Sequence, residues 1–103
     1  MTLKNSISVS LTADGQVKLE GLLNFESVPR VWQETQSLLS QSTHTLLQLD
    51  LSGVGRSDSA GIAFLIECMR FSRQIGKKIN YKNVPEQMLA IVRVCDLEQI
   101  LFS

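Results

Sequence analysis

Apolar and polar residues alternate through ISVSL at 7–11 and again through VKLEGL at 17–22, the period-two pattern of half-buried strands. Ala13-Asp14-Gly15 lies between them. Asp-Gly is a strong hairpin signal, so the first two strands are predicted to pair antiparallel. From residue 28 the period changes. Val28, Val31, Trp32, Thr35, Leu38 and Leu39 recur at helical spacing. Ser27 and Pro29 supply the predicted start, a capping residue and a first-turn proline. The polar stretch Ser40 to His44 ends that helix. TLLQLDL at 45–51 is short and mostly apolar, and its place between helices predicts a strand covered on both faces. Ser52 to Ser57, with Gly53 and Gly55, reads as a loop. A helical period returns at Ser59 and runs to about Gly76, a natural stop. KINYK at 78–82 predicts another strand. Asn83-Val84-Pro85 then opens a third helix with Met88, Ile91, Val92 and Cys95 on one face. The terminal ILFS is expected to add a short strand or to pack as a tail.

The order β-β-α-β-α-β-α predicts one α/β domain over residues 1–103, a mixed sheet opened by a β-hairpin with helices packed over it. Its 103 residues suffice for one core, and an apolar share of 44% excludes a disordered chain. Ten basic residues balance ten acidic ones, so no net field draws the protein to nucleic acid or an anionic membrane. No run is long and apolar enough to span a bilayer, and MTLKNSISVS has no signal-peptide core; a cytoplasmic address is expected. Cys68 and Cys95 match no zinc spacing and are expected to be core or near-core thiols.

Catalytic readings fare poorly. A serine triad needs a histidine base held by an acid, and His44, the single histidine, sits in a Ser/Thr loop. Gly55-Arg56-Ser57-Asp58-Ser59 fails the nucleophile-elbow pattern at its last position. No Gly-Lys-Ser/Thr sequence is present for a Walker loop. Neither a cofactor nor a metal site is expected, and Asp50 reads as a polar residue near a strand end.

The candidate chemistry gathers at SDSAG, 57–61. Asp58 and Ser59 stand at the predicted start of the second long helix, and both types cap helices well. Such an end carries free N–H groups and partial positive charge, suited to an anion or a partner. Ala60 and Gly61 keep the surround small. Phosphorylation of Ser59 would place up to two negative charges beside Asp58. On a helical wheel Ile62, Phe64, Leu65, Ile66, Cys68, Met69, Phe71 and Ile75 cover more than half the circumference. Neighbouring helices could cover the excess, or an edge of it could face a partner.

The strand TLLQLDLSGV, the turn DSAG leading into IAFLIE, and the order of elements resemble the STAS domain family across nearly the whole chain. With the helix VPRVWQET, the likeness within that family is to the small subunit of an inner-membrane phospholipid-transport ABC complex. The resemblance implies a non-enzymatic protein that binds the ABC transporter ATPase subunit, in a complex with permease and substrate-binding subunits, and so helps maintain outer-membrane lipid asymmetry. It implies no direct membrane insertion, and a location peripheral to the inner membrane through the complex. The family's functional hydroxyl falls at Ser59, and the expected partner-binding residues are Arg56, Asp58, Ser59, Ala60, Gly61 and Ile62. The family also implies an alternative, an anti-sigma-factor antagonist whose Ser59 is phosphorylated by an anti-sigma kinase. Two departures bear on this. Ser57 stands where many members carry an apolar residue, and Ala60 replaces a second hydroxyl common in the sigma-pathway proteins.

Overall fold

The computed structural model describes residues 7–12 and 15–102. Strands β1 (Ile7–Leu11) and β2 (Val17–Leu23) pair antiparallel, as the alternation predicts. Thr12 and Gln16 close the connection between them, Thr12 N–H donating to the Gln16 carbonyl at 2.8 Å. Ala13 and Asp14 of the predicted hairpin turn lie outside the described residues. Helix α1 (Val28–Gln41) follows, then β3 (Leu46–Ser57), α2 (Ser59–Gln74), β4 (Lys78–Lys82), α3 (Glu86–Val94) and a short α4 (Glu98–Phe102). The sheet order is β1-β2-β3-β4, with β2, β3 and β4 parallel.

Four expectations need correction. The first concerns Ser52 to Ser57, which is strand rather than loop, so β3 has 12 residues. Its glycines serve close approach: a Cβ on Gly53 would meet Glu20 Cγ at 2.5 Å and the Leu19 carbonyl at 2.9 Å. This crowding sits where the β2–β3 register shifts between Lys18 and Glu20, the place where a strand glycine belongs.

The second is the covering of β3. Leu47, Leu49 and Leu51 are buried, whereas Gln48 and Asp50 point the other way and are half-buried. Across the sheet the same outer face carries Ser8, Ser10, Lys18, Glu20, Asn80 and Lys82. The apolar set, with Ile7, Val17, Leu19 and Leu23, joins the helices in one core cluster. The helices therefore cover one face, and the other is polar.

The third is the chain end, where Leu101 is buried and Phe102 packs edge-to-face on Tyr81, making the terminal segment a helix. Ser103 lies outside the described residues. The fourth is Cys95. It is exposed at the end of α3, while Cys68 is fully buried and burial pushes its thiol up, away from reactivity.

The wide apolar arc of α2 is met by its neighbours. This helix packs on α1, α3, α4, β3 and β4. Ile62, Phe64, Leu65, Cys68 and Met69 are buried, and Ile66, Phe71 and Ile75 rest partly buried against the core. Trp32 of α1 sits edge-to-face on both Phe64 (6.2 Å) and Phe71 (5.9 Å), an arrangement favoured by the ring quadrupoles. Gly76, at φ +73°, ends the α2 segment in the left-handed conformation that glycine adopts freely.

Candidate functional site

The candidate site is built where β3 leaves the sheet and α2 begins. Asp58 is the cap of α2: its Oδ1 accepts from Ala60 N–H at 2.9 Å, and its backbone is extended. Its second oxygen reaches another element. Asp58 Oδ2 accepts from the Phe25 N–H, 3.2 Å away, in the connection between β2 and α1. One carboxylate thus holds two chain segments 33 residues apart.

Ser57 is held from a third side. Its N–H donates to Gln87 Oε1 at 2.9 Å, and its carbonyl accepts from Gln87 Nε2. The side-chain amide of α3 pairs with both backbone groups of Ser57, as a neighbouring strand would. Ser57 itself is buried at 6% exposure. Its hydroxyl fills the space beside Gly61, where an added Cβ would lie 1.9 Å from Ser57 Oγ. That close packing calls for a small side chain at 57 and for the glycine at 61.

Ser59 is exposed, and among the described residues its hydroxyl has no hydrogen-bond partner. Asp58 therefore carries the cap, leaving the Ser59 Oγ outside the internal bonding. Arg56 and Asp58 are exposed, and Ala60 is half-buried. Gly61 is buried and Ile62 is only 4% exposed. Of the six expected partner residues, four lie at the surface, while Gly61 and Ile62 form the underside of the turn.

The connection Asn24 to Ser27 departs from expectation and brings in a residue that the sequence pattern does not mark. Ser27 sits at the cap position of α1 but makes no cap bond to it. Its hydroxyl donates to the Leu22 carbonyl at 2.8 Å and accepts from Asn24 N–H at 3.0 Å. Asn24 Oδ1 accepts from Glu26 N–H and Ser27 N–H at 3.0 and 3.1 Å, an Asx turn. The result is a tight turn with Phe25 at its tip, 81% exposed. Between α1 and α2 lies an apolar groove of about 160 Å³, lined by Val28, Pro29, Trp32, Ala63, Phe64 and Glu67. A signal for Phe25 exists only in retrospect: an aromatic residue between two polar turn formers.

His44 precedes β3 and Ser59 follows it. A 12-residue strand at about 3.3 Å per residue separates them by roughly 30–40 Å. The one histidine cannot reach the one candidate nucleophile. Asp50 belongs to a separate clamp: its Oδ1 accepts from Asn83 Nδ2 at 3.1 Å and from Ser52 N–H at 2.9 Å. These bonds, led by Asn83, hold its carboxyl below the usual carboxylate value.

The family model described as "Mlab, STAS domain" matches residues 8–102. A chain of the Acinetobacter MlaFEDB complex, in its ATP-bound Vtrans2 conformation, is 26% identical, with a TM-score of 0.79 over 91% of this chain and 96% of that one. An anti-sigma factor antagonist from Mycobacterium paratuberculosis superposes with a TM-score of 0.77 at 15% identity, covering 98% of this chain and 87% of that one. The anti-sigma factor antagonist SpoIIAA, unphosphorylated, gives 0.71 at 13% identity over 95% and 86%. The last two likenesses are of fold. No curated protein matches the sequence. No described helix is long and apolar enough to cross a membrane.

Proposed function

The chain belongs to the STAS domain family, and on that premise we propose that it is the small, non-enzymatic subunit of a Mla-type ABC complex. It docks on the ATPase subunit, a MlaF-like protein, through Arg56, Asp58, Ser59 and Ala60. It acts on the cytoplasmic side of the inner membrane, where it supports assembly or activity of a transporter that maintains outer-membrane lipid asymmetry. The observation that carries this reading is the 26% identity to a chain of the MlaFEDB complex over nearly all of both chains. The exposed Ser59, with its capping duty taken by Asp58, supports placing the contact at the turn.

The test is Ser59→Arg. A long cation replaces a small hydroxyl at a position that bears no internal bond; beside the positive end of α2 it costs at most about 1 kcal/mol, so the domain stays folded with a slightly lowered melt. Calorimetric titration against the purified ATPase subunit of the same host is expected to show no binding. Unchanged affinity would remove Ser59 from the interface.

A second reading keeps the same turn, namely an anti-sigma-factor antagonist switched by a kinase. The unpartnered Ser59 hydroxyl at a helix start favours it. It predicts phosphate on Ser59 in protein purified from its host, and release of a kinase partner on phosphorylation. Intact-mass measurement of that protein separates the two readings.

A further inference from the structure

Resting on the reading that the Ser59 turn docks the ATPase subunit, we propose that the docking surface has a second anchor, Phe25, and that Asp58 is the positioning residue that delivers it. Four observations carry this. Phe25 is an aromatic residue with 81% of its surface exposed. Its backbone is nonetheless fixed: Asn24 and Ser27 close the turn on either side, and Asp58 Oδ2 holds the Phe25 N–H. The Asp58 bond places that N–H beside the residue preceding Ser59. Finally, the lining of the apolar groove begins within about one helical turn of both residues, at Val28 after Phe25 and at Ala63 after Ser59.

A rigidly held aromatic ring binds cheaply. The backbone of Phe25 is ordered before the partner arrives, so little conformational entropy remains to be lost on association. Aromatic anchors of this kind carry a large share of interface energy. Asp58 does two separable things. Oδ1 caps α2, and Oδ2 positions Phe25. In Asp58→Asn the remaining carbonyl oxygen keeps the cap, while the amide nitrogen, a donor, can no longer accept from Phe25 N–H.

The experiment is a double-mutant cycle read by calorimetric titration against the purified ATPase subunit, with circular dichroism melts as the folding check and Ser59→Arg as the reference for the site. Phe25→Ala is expected to keep the fold and weaken binding at least about tenfold. Asp58→Asn is expected to weaken it by a comparable factor. The double variant is expected to lose less than the product of the two single losses, because part of the Asp58 effect acts through the Phe25 ring. If Ser59→Arg abolishes binding while Phe25→Ala leaves it unchanged, the second anchor is wrong and the site stands. If Phe25→Ala weakens binding but the two losses multiply, Phe25 is an anchor and Asp58 does not position it. If Ser59→Arg binds as wild type, the docking site itself fails, and this inference with it.

Discussion

Thr35 is wholly buried in α1, and its hydroxyl has no hydrogen-bond partner among the described residues. A buried hydroxyl without a partner forfeits its hydration and gains nothing in exchange. Thr35→Val keeps the shape and removes the polar group. It is expected to raise stability by about 1 kcal/mol, read as a shift in the urea midpoint at unchanged slope. A fall in the midpoint would mean that the hydroxyl is bonded in solution. The periodicity that placed Thr35 on the inner face of α1 was sufficient for its position. It carried no information on satisfaction, which depends on what the neighbouring elements present. Phe25 illustrates the same limit from outside: its exposure is set by the turn of Asn24 and Ser27 and by a carboxylate far along the chain.

At the level of elements, α2 contains a test of packing against propensity. Alanine is a better helix former than glycine by about 1 kcal/mol. Yet Gly61→Ala is expected to destabilise the domain by roughly 1–3 kcal/mol, because its Cβ would strike Ser57 Oγ and crowd the Leu23 carbonyl. Adding Ser57→Ala should recover part of that loss, and urea unfolding of the three variants checks both statements. A stabilised Gly61→Ala would show that the turn relaxes freely. The opening hairpin, α1, α2 and β4 were legible because their period lasts long enough to declare itself. The second half of β3 was not. Gly53 and Gly55 are turn signals by type, and only the close approach of Glu20 and Leu19 reveals a strand glycine. In TLLQLDL the adjacent Leu46 and Leu47 mask the alternation that follows, so it resembles a run buried on both faces, and ILFS is too short to show a helical period. Within the candidate site the sequence offered Asp58 and Ser59 equally as caps, and only the bond from Ala60 N–H assigns the cap to Asp58. Gln87, whose amide holds Ser57 from across the fold, was not legible, because nothing local marks it.

For the whole molecule, one core cluster takes in the strands and all four helices. A domain of this size with one core is expected to unfold as one cooperative unit, so a local change of charge is read in a global melt. Asp50 offers such a change. Its folded carboxyl lies below the model-peptide value of 3.8, chiefly through Asn83 and the Ser52 N–H. A group so lowered contributes its full share above the unfolded value and loses it as pH falls through the folded one. Asp50→Asn should therefore melt lower than wild type at neutral pH, and the gap should close as pH drops below 3.8. Scanning calorimetry of both proteins across that range is the check. A gap independent of pH would mean that the carboxylate charge contributes nothing.

The division between Asp58 and Ser59 has a bearing on how such a surface can change over time. Because the helix start is secured by the aspartate, a different side chain at 59 alters what the turn says without altering whether the domain folds. A new partner, or a sharper choice between two similar ones, is then within reach of single substitutions that cost the scaffold little. Had the serine itself been the cap, each such trial would also have weakened the protein.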